Sequence, residues 1–465
     1  MYYSSKESAG KKYITYLVWN ANLGAIVSGI FFVNFNACAE QVIAGADSLD
    51  ERASTILYFQ FLASLVFGGV LGGLISSSIA NNLGRRKAMM IADVITIIGC
   101  LVTIHSSFAI LLLGRLICGV ALGLNIMVIP LYVREISPPE LSGKIGSSFR
   151  ICFTIGLLLP FICTLEFLLE DPPKIIFALV FRMPCLFALA RLISFVKWVH
   201  LDTPQFYIDK NQDGNAIMAL EKILDGDRVE HIYHREKKFE IKGIRGVFGP
   251  KYKKQAMLIM LLIFASEFMG ANSIILTDSV LFSQAGFDGS RILSVLNIIM
   301  GFSRLLSAVL GSILLEQIGR KRLFLSGILL SIFLIFPIIF LANAQTLQVA
   351  TIMFYSIWQG LTISLVLPIY ASELLPPSGV ALQVVFQMVC LLVSTLLCYL
   401  AAGTVFFIYG LVGFATIYPI SKLAKETKGK TLNEVCMMFQ PDTSRGLLDT
   451  SFDEDASQLE GLNVL

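Results

Sequence analysis

Four ionisable residues lie inside stretches that are otherwise apolar: Arg150, Arg191, Glu267 and Arg304. A charge at membrane depth costs at least ~2.5–3.5 kcal/mol unless it is paired or faces a wet cavity. These four are therefore either a structural ion-pair set, with Glu267 neutralising one arginine, or ligands for a solute. Guanidinium suits carboxylate or phosphate because it donates two parallel hydrogen bonds, so surplus positive charge here would meet an anionic or zwitterionic solute. A second group of charges sits at the ends of the apolar stretches: Arg85, Arg86, Arg320 and Arg322, with Glu135 and Glu373. As pairs between two halves they form a gate, since partly wet ion pairs are specific yet only modestly stabilising. Unpaired, they are topology signals. Gly429-Lys430-Thr431 ends like a phosphate-binding loop, but Ala424 occupies the place of its first glycine. His231 and His234 stand in a polar stretch and read as solvated rather than metal-bound. No nucleophile-plus-base arrangement is visible. Neither an enzyme, a cofactor nor a metal site is expected.

The elements that hold these residues follow from composition. The 465 residues are 55% hydrophobic and only 15% charged, and the mean hydropathy is +0.74. A soluble globular chain carries roughly 25% charged residues, so a soluble enzyme, a secreted disulfide scaffold and a disordered chain are excluded. A net charge of +3 is too small for a nucleic-acid binder. Most cysteines lie in apolar runs and read as packing residues, and Cys38 has no evident disulfide partner. Runs long enough to span a bilayer are Tyr13–Phe35, Thr55–Ile79, Ala88–Ile104, Phe108–Tyr132, Ile145–Leu169, Ile175–Val199, Ala256–Leu281, Ile292–Leu315, Leu323–Leu341, Thr346–Tyr370, Val380–Ala402 and Val405–Ile420. Only helices satisfy their own backbone groups in lipid over such lengths.

The prediction is an all-α integral membrane protein with twelve transmembrane helices in two pseudo-symmetric six-helix halves. Its parts are an N-terminus at 1–12, a first half at 13–199, a central loop with short helices at 200–255, a second half at 256–420 and a tail at 421–465. Basic residues concentrate in the N-terminus, the loop holding Arg85-Arg86-Lys87, the loop holding Arg320-Lys321-Arg322, the central loop and the tail. The other side holds Arg52, Lys174 and Arg291, so both termini are predicted to be cytosolic. The acidic end Asp442–Leu465 reads as a disordered cytosolic segment. Gly68/Gly72, Gly69/Gly73 and Gly119/Gly123 are small-residue pairs that predict close helix packing.

The halves share punctuation. Leu83-Gly84-Arg85-Arg86-Lys87 recurs as Ile318-Gly319-Arg320-Lys321-Arg322, and Pro130-Leu131-Tyr132-Val133-Arg134-Glu135 recurs as Pro368-Ile369-Tyr370-Ala371-Ser372-Glu373. Six-helix repeats around a midplane site are one way secondary transporters are built. Gly114-Arg115, Gly119, Gly123, Pro130, Tyr132, Glu135 and Pro138 are spaced as in the fourth-helix motif of the sugar porter family of the major facilitator superfamily. Asp202-Thr203-Pro204-Gln205-Phe206 resembles that family's segment after helix six, and Lys425-Glu426-Thr427-Lys428-Gly429-Lys430-Thr431-Leu432 its segment after helix twelve.

This resemblance implies a carrier of a small polar solute, most simply a hexose or polyol, working by alternating access as a uniporter or exchanger. It implies a bilayer as environment, a monomer with higher assembly left open, and the plasma membrane rather than an internal one. It assigns a cytosolic gate to Arg85, Arg86, Arg115, Glu135, Arg320, Arg322 and Glu373. Asn81, Asn82, Ser142 and Ser378 replace charged members of the usual network, which implies a weaker or rebuilt gate. Carried over residue by residue, the family's solute ligands fall at Arg150 on helix five, at Ser266, Glu267, Gly270 and Asn272 on helix seven, and at Arg304 on helix eight. Pro368 replaces the usual Trp on helix ten. The substrate-binding set is thus Arg150, Glu267, Asn272 and Arg304, and the two arginines leave an organic anion or zwitterion as the alternative solute. The altered cavity leaves a non-transporting receptor as a second alternative. Helix one has no acid in Gly29-Ile30-Phe31 for proton coupling, and Glu166 and Asp278 lie near outer ends, so movement down a gradient is expected.

Overall fold

Apolar runs bounded by glycine, proline and charge fold as long helices. The computed structural model describes residues 2–44, 51–103, 108–137, 142–163, 175–223, 252–287, 290–340, 344–398, 402–430 and 432–439, together with 229, 247, 249 and 400. Glu166, His231, His234, Pro138, Thr431 and the acidic end Asp442–Leu465 lie outside them. The first half is built from α1 (Tyr2–Ala44), α2 (Glu51–Leu83), α3 (Arg85–Val102), α4 (Phe108–Ile136), α5 (Ser142–Cys163) and α6 (Ile175–Lys197). Two short helices follow, α7 (Pro204–Asp209) and α8 (Asp213–Glu221).

The second half contains α9 (Lys253–Phe268), α10 (Ser273–Gln284), α11 (Ser290–Ile318), α12 (Arg320–Phe340), α13 (Gln345–Leu361), α14 (Ile363–Leu374), α15 (Pro377–Leu397) and α16 (Ala402–Leu423), with α17 (Leu432–Phe439) after it. Among the described residues, eleven helical segments are long and apolar enough to cross a membrane. The remaining span of the twelve is α3, third in order; its first turn is Arg85-Arg86-Lys87 and it buries Asp93, which lowers its apolar character.

Two predicted runs are each two helices. The break between α9 and α10 falls at Gly270, whose φ of +81° suits a residue without Cβ. The chain resumes α10 at Ser273 and departs from helix again at Thr277. The break between α13 and α14 falls at Thr362, whose hydroxyl donates back to the Trp358 carbonyl at 2.7 Å.

Helices approach closely where glycines oppose one another. A Cβ at Gly119 would stand 2.2 Å from the Leu65 carbonyl oxygen, and one at Gly29 would stand 2.1 Å from that of Phe153. These positions bind α2 to α4 and α1 to α5. The halves meet along α2 and α15, where Gly69 faces Met388 and Gly73 faces Val385, and along α5 and α11, where Gly301 faces Leu158. Outward faces carry large apolar side chains such as Leu186, Phe333 and Phe340, the last 79% exposed. Lipid is the solvent such faces fit.

Candidate solute-binding site and gate

The basic ends of α3 and α12 are built alike. Gly84 and Gly319 precede them with φ of +98° and +89°, and a Cβ at either would collide with an acid, Asp202 at 2.1 Å or Glu426 at 2.6 Å. That acid caps the helix. The Asp202 carboxylate accepts from the backbone N–H groups of Arg85 and Arg86 at 3.1 and 3.0 Å, and Glu426 accepts from those of Arg320 and Lys321 at 2.9 and 3.1 Å. The first turn of a helix favours such negative charge. The arginine then reaches an acid on the fourth or tenth span. Arg85 donates to Glu135 at 2.7 and 3.1 Å, and Arg320 donates to Glu373 at 2.7 Å. The second oxygen of each glutamate accepts a threonine hydroxyl at 2.6 Å, from Thr203 or Thr427.

Each cluster therefore closes within one half. Pairs between halves are expected from the sequence, but both of these ion pairs lie within one half. Among the described residues Arg134 does cross at this end, donating to the Ser372 and Leu375 carbonyls at the end of α14, and the Arg320 guanidinium packs against Gly143 of α5. Arg86 donates to the Phe195 carbonyl at 2.6 Å, inside the first half. Arg322 is exposed. Arg115 stands apart from the gate: it donates to Asn34 at 2.6 Å and to the Phe61 carbonyl at 3.0 Å, with the Phe35 ring beside it. An acid followed by threonine, at Asp202-Thr203 and Glu426-Thr427, was a legible sign of the two caps that the gate assignment passed over. Burial holds the Asp202 carboxyl up, at about 6, against the pull of the Thr203 and Arg86 N–H groups and the Arg85 charge. Asp209, 3.6 Å from Arg85, is raised by burial as well.

At the opposite end the halves are joined by neutral groups. Non-helical backbone at Thr277 leaves the carbonyls before it open, and Asn36 of α1 donates to those of Ile275 and Leu276 at 3.1 and 2.8 Å. Tyr58 donates to the Asn36 side-chain oxygen.

Between these ends lies a cavity of about 50 Å³. A water takes about 10–15 Å³ on such a measure, so this cavity has room for a few waters and must widen to admit a larger solute. The first half contributes Phe32, Ile126, Pro130, Phe149 and Phe153, with Arg150 as its one charged group. The second half contributes Ser266, Asn272, Ser364, Gln383 and Gln387 among others. Pro130, Phe149 and Pro368 also line a smaller void of about 20 Å³ beside Arg134 and Glu373, and so form the wall between the cavity and the Arg134 crossing.

Of the predicted ligand set, Arg150 and Asn272 line the cavity and Glu267 lies behind it. The Glu267 Oε1 accepts from Asn272 at 2.6 Å and from Gln387 at 2.9 Å. The Gly270 break makes the first contact, because it turns Asn272 back toward Glu267. Arg304 is elsewhere: it forms a bidentate pair with Asp278 at 2.6 and 2.9 Å and donates to Ser356 at 3.1 and 3.2 Å. It is not among the residues that line the cavity, and Asp278, next to the Thr277 kink, is its buried counter-ion. Arg191 is paired with Asp93 at 2.7 Å and donates to Asn125 at 2.8 Å. Gly24 leaves the room that guanidinium fills, since a Cβ there would stand 1.7 Å from it. Gln383 and Gln387 were not anticipated, though two amides four apart in an apolar run share one helix face.

Comparison with known proteins adds the family. The description "Sugar (and other) transporter" matches residues 6–439. The glucose transporter GlcP of Staphylococcus epidermidis is 24% identical over 408 residues, covering 80% of this chain and 86% of that protein. The major myo-inositol transporter IolT of Bacillus subtilis is 24% identical over 404 residues, covering 80% and 84%. The proton:xylose symporter XylE, in a structure bound to 6-bromo-6-deoxy-D-glucose, has the same fold, with a TM-score of 0.81 at 22% identity over 93% of this chain and 100% of that one. The match over nearly the whole chain places the protein in the sugar (and other) transporter family, and its fold is that of the major facilitator structure just compared.

Proposed function

We propose that the protein is a facilitative carrier of a polyhydroxylated solute, a hexose or polyol in size, that works by alternating access. The observation that carries this reading is the cavity between the halves, with inter-half contacts to either side of it: Arg134 on the basic side and Asn36 on the other. A site between halves that are held by separable contacts on either side of it is what a carrier needs in order to expose it to one side at a time. The partner of Arg115 on the first span is the amide of Asn34 rather than a carboxylate, which supports uniport or exchange over proton coupling. The relatives' names, glucose and myo-inositol transporters, support the solute class. The basic clusters support a cytosolic position for that face.

Uptake into liposomes containing the purified protein tests the reading. Labelled hexose or inositol should equilibrate without an imposed proton gradient and should show counterflow against unlabelled solute. A solute that raises the melting temperature yet never crosses the membrane would favour a receptor instead.

A further inference from the structure

We infer that the solute selected by this cavity carries a carboxylate on a hydroxylated body, as a uronate or an aldonate does. The inference rests on the carrier reading and names the substrate class of the same site. It begins with the pairing of the buried arginines. Arg85, Arg191, Arg304 and Arg320 each hold a carboxylate at 2.6–2.7 Å, and Arg115 is held by Asn34 and a carbonyl. Arg150 differs. It is 6% exposed and lines the cavity. Its guanidinium lies over the Phe153 ring at 5.2 Å, and its Nε has no hydrogen-bond partner. Among the described residues no carboxylate lies within ion-pair distance of it. The Glu267 charge reaches it only from beyond that distance, and a buried charge without a close counter-charge is unfavourable; a solute anion arriving in the cavity relieves that penalty.

One oxygen of Glu267 is committed elsewhere, and its Oε2 has no hydrogen-bond partner. Its Oε1 holds Asn272 and Gln387, and Gln383 donates in turn to the Gln387 carbonyl at 3.3 Å. This chain uses the amide N–H groups and leaves the Asn272 and Gln383 oxygens as acceptors toward the cavity. Ser266 and Ser364 are buried with hydroxyls that have no partner. The second half thus offers acceptors and hydroxyls, which suit sugar hydroxyls, while the first half offers Phe32, Phe149 and Phe153 for the ring and Arg150 for an acid group. Guanidinium binds carboxylate through two parallel hydrogen bonds in which both partners are charged, and these are stronger than the bonds it can make to the neutral hydroxyls of a hexose.

Binding competition on the wild-type full-length protein decides first, with glucuronate and gluconate set against glucose and an α-amino acid, read by thermal stabilisation. Glucuronate or gluconate should be preferred over glucose by roughly tenfold or more. Glucose bound as tightly as either acid would overturn the inference and leave the carrier reading standing. Preference for the amino acid would also overturn it. In Arg150→Gln, affinity for glucuronate should fall roughly ten- to a hundredfold and selectivity over glucose should collapse. Arg150→Lys, which keeps the charge but not the two-pronged geometry, should fall between. Unchanged acid affinity in folded Arg150→Gln would sink the proposal. Glucuronate that binds but never enters liposomes would keep the acid site and remove the carrier reading.

Discussion

Arg304 and Arg150 are both buried, at 1% and 6% exposed, and only Arg304 has an acid beside it. Removing one partner of a buried pair leaves the other charge uncompensated and costs about 3–5 kcal/mol, whereas removing both is often near neutral. Asp278→Asn should therefore lower the melting temperature and yield of the purified protein sharply, and Arg304→Gln in the same chain should restore both. If the double variant is as unstable as the single one, the pair is not what holds α10 to α11. The pairing was not legible in the sequence because the backbone leaves the helix at Thr277, so a period of 3.6 residues does not tell which face Asp278 occupies. Asp202 offers a pH test outside the membrane-spanning segments. Its carboxyl is held at about 6, above the range of an unfolded chain, chiefly by burial. A raised carboxyl binds its proton more tightly when folded, so its contribution is full below about pH 4 and is lost as the pH rises through about 6. The stability of wild type relative to Asp202→Asn should accordingly decline between pH 4 and 6 and then level off. A difference that is flat across that interval in thermal melts would contradict this placement of Asp202.

At the scale of elements, most of the architecture was legible, because a bilayer demands long apolar runs and the repeated Gly-Arg and Pro-x-Tyr motifs fix where those runs end. The breaks were less so. Gly270 and Thr362 interrupt runs that are apolar enough on average to read as single spans, and the turn at Gly270 brings Asn272 back to Glu267. The small-residue pairs were read as packing sites, and the geometry bears on how sensitive they are. A Cβ at Gly119 meets a backbone carbonyl at 2.2 Å, an atom that cannot swing aside, whereas a Cβ at Gly214 on α8 meets nothing within 4 Å. Gly119→Ala should cost about 1–3 kcal/mol by forcing α2 and α4 apart. Gly214→Ala should be neutral or stabilise by about 0.4–1 kcal/mol through the unfolded chain. Denaturation in detergent that ranked the two the other way would mean that α2 and α4 are not in contact along this seam.

The whole molecule has two inter-half locks of unlike chemistry at its two ends. On the basic side Arg134 donates a charge-assisted bond to carbonyls of α14, and on the other side Asn36 donates neutral bonds to carbonyls freed at the Thr277 kink. The ion-paired clusters at Glu135 and Glu373 stiffen each half from within, so breaking them loosens a half rather than opening a path. Opening should instead follow from the crossing residues, and in opposite directions. A neutral hydrogen bond contributes about 1 kcal/mol net and a charged one about 1.5–3 kcal/mol. Asn36→Ala should then shift the population toward opening on its own side by roughly fivefold, and Arg134→Ala should shift it toward the basic side by roughly ten- to a hundredfold. The measurement is labelling of a cysteine placed at Val380, which lines the cavity, in a background without native cysteines. A membrane-impermeant thiol reagent would be added from one side of oriented vesicles at a time. Asn36→Ala should speed labelling from the side away from the basic clusters and slow it from theirs, and Arg134→Ala should do the reverse. Two variants that change labelling in the same direction would show that these contacts merely stabilise the closed form and do not set which side opens.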